Sequence, residues 1–124
     1  MTRIIKNICI MKEYIIDAKN KPMGKVASEA AVVLQGKNEP SYNPRKEGAE
    51  KVRIINPDKI MITGKKRTQK VYYRHSGRAG NLRKRTLQEE LEHNPAEVIR
   101  RAVKNMLPKN RLQNKRLKRL NIET

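Results

Sequence analysis

Side chains able to grip a phosphate are gathered in two windows of the chain. Lys65, Lys66, Arg67, Lys70, Arg74, Arg78, Arg83, Lys84 and Arg85 form the first. Arg100, Arg101, Lys104, Lys109, Arg111, Lys115, Arg116, Lys118 and Arg119 form the second. Neither window contains an Asp or Glu. The net charge is +18, and the two windows carry all of it, because the 12 acidic residues cancel the basic residues found elsewhere. Cations crowded in this way repel one another unless a polyanion neutralises them. A chain that only had to stay soluble would intersperse both signs. An anionic membrane would also attract the windows, but they lack the aromatic or Leu-rich opposite face of an interfacial helix. Nucleic acid is the better fit. Its affinity should fall with salt, at a log–log slope of about −0.7 to −0.9 for each phosphate neutralised.

The first window holds further residues with chemical reach. Gly77-Arg78-Ala79-Gly80 has the spacing of the loop by which KH modules hold a nucleic-acid backbone. That loop joins two helices, whereas Val71-Tyr72-Tyr73 before it reads as a strand. The physics stands without the label: glycines admit phosphate close to backbone N–H groups, and Arg74, Arg78 and Arg83 neutralise it. Tyr72, Tyr73 and His75 have rings that stack on unpaired bases. Adjacent strand residues point to opposite faces, so at most one tyrosine meets RNA. His75-Ser76 has the residue types of a base and a nucleophile, but no nearby acid orients the imidazole.

Other chemistries lack their patterns. Gly64-Lys65-Lys66 is not the full spacing of a phosphate loop. His75 and His93 are too far apart in sequence for a metal motif, and Cys9 is the only cysteine, so no metal site or disulfide is expected. Glu89, Glu90, Glu92 and Glu97 fall at helix starts, where they favour the helix dipole. No catalytic residue, cofactor or small-molecule substrate is assigned.

The elements that must position these groups follow from patterning. Tyr14-Ile15-Ile16-Asp17-Ala18 reads as a buried strand, and Val26, Ala27, Ala30, Val33 and Leu34 recur at helical spacing before a stop at Gly36. Residues 37–50 read as loop, with an ordered turn at Tyr42-Asn43-Pro44. Val52-Arg53-Ile54-Ile55, Ile60-Met61-Ile62-Thr63 and Val71-Tyr72-Tyr73 read as three more strands. Thr86-Leu87-Gln88-Glu89 is a capping box, and Asn94-Pro95 with Glu97 opens a second helix whose stripe is Val98, Ile99, Ala102, Val103 and Met106. Pro108 ends it. Leu112, Leu117 and Leu120 belong to a short helix or extended tail, weakly anchored and ordered by RNA.

Length and composition bound the whole. The 124 residues suit one domain, with an extension over 1–13, an α/β core over 14–107 and a basic tail over 108–124. Hydrophobic residues are 36% and aromatics 3%, without Phe or Trp, so Ile, Val, Leu and Met fill a modest core. No run has the roughly 18 apolar residues of a membrane span, and the start does not read as a signal peptide. A cytoplasmic, α/β protein with a largely parallel sheet is expected.

Taken in order, the segments resemble one family, the bacterial-type large-subunit ribosomal protein L-thirteen. The resemblance runs from Tyr14 to about Ile122. It rests on Tyr14-Ile15-Ile16-Asp17-Ala18, Gly24-Lys25-Val26-Ala27-Ser28, Leu34-Gln35-Gly36-Lys37, Tyr42-Asn43-Pro44 and Ile55-Asn56-Pro57-Asp58-Lys59-Ile60. It continues through Thr63-Gly64-Lys65-Lys66 and Val71-Tyr72-Tyr73-Arg74-His75-Ser76-Gly77. Its most specific parts are Met106-Leu107-Pro108-Lys109-Asn110-Arg111-Leu112 and Leu117-Lys118-Arg119-Leu120. The family usually has Trp at the position of Glu13, Gly-Asp-Tyr at Ala49-Glu50-Lys51, Gly at Gln113, Tyr at Glu123, and a longer C-terminal tail. A divergent, trimmed member with altered peripheral contacts is expected.

The resemblance implies a three-layer α/β/α domain with a four-stranded, mainly parallel sheet and a basic helical C-terminal extension. It implies a non-enzymatic role: binding large-subunit rRNA early in assembly and staying as a structural component beside neighbouring large-subunit proteins. It places Lys65, Lys66, Tyr73, Arg74, His75, Ser76, Lys109, Asn110 and Arg111 toward RNA. Charge alone adds Arg67, Lys70, Arg78, Arg83, Lys84, Arg85, Lys115, Arg116, Lys118 and Arg119. Arg74, Arg78 and Arg111 are the candidates for bidentate phosphate contacts.

Overall fold

Alternation builds β1 (Glu13–Asp17), where Ile16 is buried and Ile15 is 64% exposed. The computed structural model describes residues 12–123; Cys9 and the rest of the expected extension up to Met11 lie outside the described residues. The chain turns at Asn20, which takes a left-handed φ of 56°, and enters α1 (Met23–Gln35). Val26, Ala27, Ala30, Ala31 and Leu34 of α1 are fully or almost fully buried. Gly36 ends the helix at φ 74°, its N–H donating to the carbonyls of Val32 and Val33, a geometry that favours glycine. The loop that follows contains the expected ordered turn: Arg45 N–H donates to Asn43 Oδ1 at 3.0 Å. It leads into β2 (Lys51–Ile55), which pairs in parallel with β1, setting Tyr14 opposite Val52 and Ile16 opposite Ile54.

After a turn of 3-10 helix at Pro57–Lys59, the short α2 (Lys66–Gln69) leads into β3 (Val71–His75). β3 and β4 (Leu82–Thr86) form an antiparallel hairpin. Thr86 then caps α3 (Leu87–His93): Glu89 N–H donates to its Oγ1 at 3.4 Å, and its own N–H donates to Glu89 Oε2 at 3.0 Å. Asn94 caps α4 (Pro95–Met106), with Glu97 N–H donating to Asn94 Oδ1 at 3.1 Å. α5 (Leu112–Leu117) and β5 (Leu120–Ile122) close the chain. β5 lies parallel to β2, and the sheet order is β1-β2-β5.

The protein is therefore α/β with a parallel sheet, but several expectations change. Among the described residues the parallel sheet has three strands rather than four. Ile60-Met61-Ile62-Thr63 supplies only a bridge between Met61 and Pro22, and β3 pairs with β4 in a separate hairpin instead of joining the parallel sheet. Of the expected 108–124 tail, the described part to 123 is not loose: Leu120 is buried in the core and Leu117 and Ile122 pack against it. One sheet face, bearing Ile16, Val52, Ile54 and Leu120, packs on α1, with α4 laid against α1. The other face carries the exposed Ile15 and Asn121 with Arg53 between them, and no second helical layer is seen there among the described residues. Met106, expected in the α4 stripe, is 48% exposed.

Candidate nucleic-acid interface

The β3–β4 hairpin concentrates most of the first window. Its register puts Tyr72 opposite Arg85 and Arg74 opposite Arg83, so these four side chains share one face. Tyr73, opposite Lys84, lies on the other face and is 63% exposed, whereas Tyr72 is half-buried. The single available tyrosine expected from strand alternation is thus Tyr73, whose ring lies 5.7 Å from Lys84 Nζ. Gly77-Arg78-Ala79-Gly80 forms the tip between two strands, with φ of 89° at Gly77 and 76° at Gly80. A strand-to-strand tip is not the helix-to-helix loop of a KH module. Gly77 N–H donates to His75 Nδ1 at 2.9 Å. That lone pair is the one a general base would use; its engagement leaves Nε2–H as a donor suited to a phosphate oxygen.

Between the hairpin and the helices lies a cavity of about 840 Å³ whose lining includes Arg74, His75, Ser76, Arg83 and Arg85. Three residues outside the assigned set, Tyr72, Glu90 and Arg101, complete it. Arg101 of α4 lies 5.2 Å from the Tyr72 ring centroid, and Glu90 of α3 lies 3.7 Å from Arg101 Nη1. Helical periodicity turned Arg101 away from the core, but nothing in the sequence showed that α4 lies beneath the hairpin.

The remaining assigned residues divide in two groups. Lys65, Lys66, Arg67 and Lys70 are exposed on and around α2. Lys70 Nζ sits 5.2 Å from the Tyr72 ring, while Arg67 lines a separate groove with Asp58 and Glu92. Lys109, Asn110 and Arg111 are exposed on the turn before α5; Leu112 N–H donates to Asn110 Oδ1 at 3.1 Å, so that amide also shapes the turn. Lys118 is exposed, and Lys115 lies 3.9 Å from Glu47.

Arg116 and Arg119 are corrections. Arg116 is 2% exposed and donates to the carbonyls of Lys46 at 3.0 Å and Glu47 at 3.4 Å. Arg119 donates to the carbonyls of Glu50 at 3.0 Å, Leu34 at 3.2 Å and Glu47. Both guanidiniums donate to carbonyls of the 46–50 loop, and Arg119 also to that of Leu34 at the end of α1. A Cβ added at Gly48 would meet the Leu34 carbonyl oxygen at 3.3 Å, and its φ is 82°, so glycine lets the loop lie close to α1 where Arg119 reaches across. These two arginines face inward and leave the phosphate-contacting set. Nothing in a run of Lys and Arg marks which members will meet open carbonyls.

Three of the departures from the family pattern, Glu13, Gln113 and Glu123, have partners. Glu13 accepts from Arg53 Nη2 at 2.9 Å, and Glu123 lies 3.3 Å from Arg53 Nε, joining all three strands on the open face. Gln113 Nε2 donates to the carbonyls of Lys104 at 2.8 Å and Leu107 at 3.4 Å, closing the end of α4.

Comparison with known proteins gives the family. The family profile described as ribosomal protein L13 matches residues 11–122. The large ribosomal subunit protein uL13 of Aquifex aeolicus is 50% identical over 111 residues, covering 90% of this chain and 77% of that protein. That of Natranaerobius thermophilus is 47% identical, covering 90% and 78%, and that of Thermotoga maritima 46%, covering 90% and 74%. With two basic faces on an α/β core and identity sustained over nine-tenths of its length, the chain belongs to the ribosomal protein L13 family, whose members are structural proteins and not enzymes.

Proposed function

We propose that this chain is a structural constituent of the large ribosomal subunit in the cytoplasm, where it binds large-subunit rRNA beside neighbouring subunit proteins and supports early assembly. The observation that carries the proposal is the hairpin: Arg74, Arg83, Lys84 and Arg85 stand exposed on one two-stranded ribbon that has no acidic residue. Phosphates reduce the mutual repulsion of those groups, and the groups reduce the repulsion between RNA segments. The Lys109-Asn110-Arg111 turn supplies a second contact. Recognition is of backbone and shape first, because duplex RNA hides its base edges in a deep major groove.

The test has two parts. Tagged protein sedimenting with large subunits on a sucrose gradient supports the assignment; protein remaining at the top overturns it. In filter binding to large-subunit rRNA, neutralising Lys109 and Arg111 together should flatten the log–log salt dependence by about two phosphates' worth. An unchanged slope removes that turn from the interface.

A further inference from the structure

The hairpin cavity is built for phosphate except at one position. Arg74, Arg83, Arg85 and Arg101 surround it, yet Glu90 lines it as well, with a side chain only 12% exposed. A carboxylate in a space meant for phosphate alone would repel its occupant. Nor is Glu90 needed merely to balance Arg101, because Glu97 lies closer, at 3.4 Å from Arg101 Nε. Arg101 is 3.7 Å from one Glu90 oxygen, which leaves most of that carboxylate's acceptor capacity unused. A half-buried acceptor among arginines calls for a donor that arrives together with phosphate. A nucleotide is such a ligand, since its base brings N–H groups and its backbone brings the anion.

We infer that this cavity takes a single extruded guanine nucleotide of the bound RNA, with Glu90 reading the base. Guanine presents two neighbouring donors, N1–H and the 2-amino group, which match the two oxygens of a carboxylate. Adenine and cytosine place a ring-nitrogen acceptor beside their amino donor, and uracil places its one N–H between two carbonyls, so each sets a lone pair against the Glu90 carboxylate or leaves it half-paired. Arg101, whose guanidinium carbon lies 5.2 Å from the Tyr72 ring centroid, offers a flat guanidinium face for the base. Arg74 and Arg83, opposite one another across the hairpin, hold the flanking phosphates. The volume of about 840 Å³ falls within the range of about 300–1,000 Å³ for small-ligand sites.

The inference rests on the rRNA-binding proposal, and the experiment separates the two. Fluorescein-labelled RNA heptamers of uridine with one central G, A or inosine are titrated with full-length protein by anisotropy. The G heptamer should bind at least about fivefold more tightly than the A heptamer, as a bidentate base contact requires. Inosine keeps N1–H but lacks the 2-amino group, and should lose most of that advantage. Glu90→Gln should bring G and A within about twofold while still binding the A heptamer at least as well as wild type, which also shows that the variant is folded. Equal binding of G and A by wild type, inosine behaving as G, or a G preference surviving in Glu90→Gln overturns the inference. If no heptamer binds but large-subunit rRNA does, the guanine site falls and the interface stands. If the rRNA does not bind either, the rRNA-binding proposal falls with it.

Discussion

Arg116 and Arg74 carry the same side chain, and their surroundings give them opposite tasks. Arg74 lies on an exposed ribbon and has no hydrogen bond or ion pair from its side chain among the described residues, so its guanidinium can turn to phosphate. Arg116 is enclosed by a loop whose carbonyls at Lys46 and Glu47 have it as a donor. Arg116→Ala should therefore destabilise the free protein by about 2–4 kcal/mol in urea denaturation, because the Lys46 carbonyl loses its donor, the Glu47 carbonyl keeps only Arg119, and a packed side chain is deleted. Arg74→Ala should change stability by less than about 0.5 kcal/mol and weaken rRNA binding instead. The reverse pattern would return Arg116 to the interface. Asp17 gives a pH test at the same scale. The Lys19 backbone N–H at 2.9 Å, followed by the Asn56 amide at 3.0 Å, holds its carboxyl below the ordinary carboxylate range. Since the folded value lies below the unfolded one, its stabilisation is complete above the unfolded pKa of about 4 and disappears as pH falls through the lowered folded value. The melting temperature of wild type should thus exceed that of Asp17→Asn at pH 7, with the gap closing below about pH 4. A gap constant from pH 7 to pH 3 would refute this role.

Among the elements, β5 is the one whose behaviour decides whether the C-terminal stretch belongs to the fold or to the RNA. Leu120 is opposite Val52 and Ile122 opposite Ile54, and Glu123 N–H donates to the Ile54 carbonyl at 2.9 Å. In hydrogen exchange on the free protein, the Glu123 amide should be slow and the tip amides at 78–80 fast; fast exchange at Glu123 would restore a tail ordered only on binding. The contrast also shows what could be read from the sequence. α1, α3 and α4 were legible because periodicity, the Thr86-Glu89 box and the Asn94-Pro95 cap are local signals. β1 and β2 were legible as apolar runs. β4 was hidden, since Leu82-Arg83-Lys84-Arg85-Thr86 has no apolar alternation and derives its extended form from pairing with β3. β5 was hidden for the converse reason: three residues at the end of a basic run are too short to show a period, and their place is set by β2. The same limit applied to the site. Charge located the hairpin and the turn at 109–111, but the inward aim of Arg116 and Arg119 and the arrival of Glu90 and Arg101 at the cavity are products of tertiary packing.

At the scale of the whole molecule, a charge of +18 on 124 residues makes salt act with opposite signs on the free chain and on the complex. In the free protein the uncompensated cations of the hairpin and the 109–111 turn repel one another, and salt shortens the range of that repulsion from about 10 Å at 0.1 M to about 3 Å at 1 M. Salt also weakens the internal ion pairs, such as Arg53 with Glu13 and Glu123, and Lys12 with Glu39 at 3.0 Å. Those pairs are partly to well exposed, however, and exposed pairs contribute only about 0–1 kcal/mol each. Relief of repulsion should win: the melting temperature of the free chain should rise between 50 mM and 500 mM KCl. For the rRNA complex the same change should lower the binding constant steeply, since counterions released on association are returned at a higher free-energy cost. Differential scanning fluorimetry of the free protein and filter binding of the complex, over one salt series, measure both arms. A free chain that melts earlier in high salt would mean that its cations are balanced internally, and the surface would then have no electrostatic need of a phosphate partner.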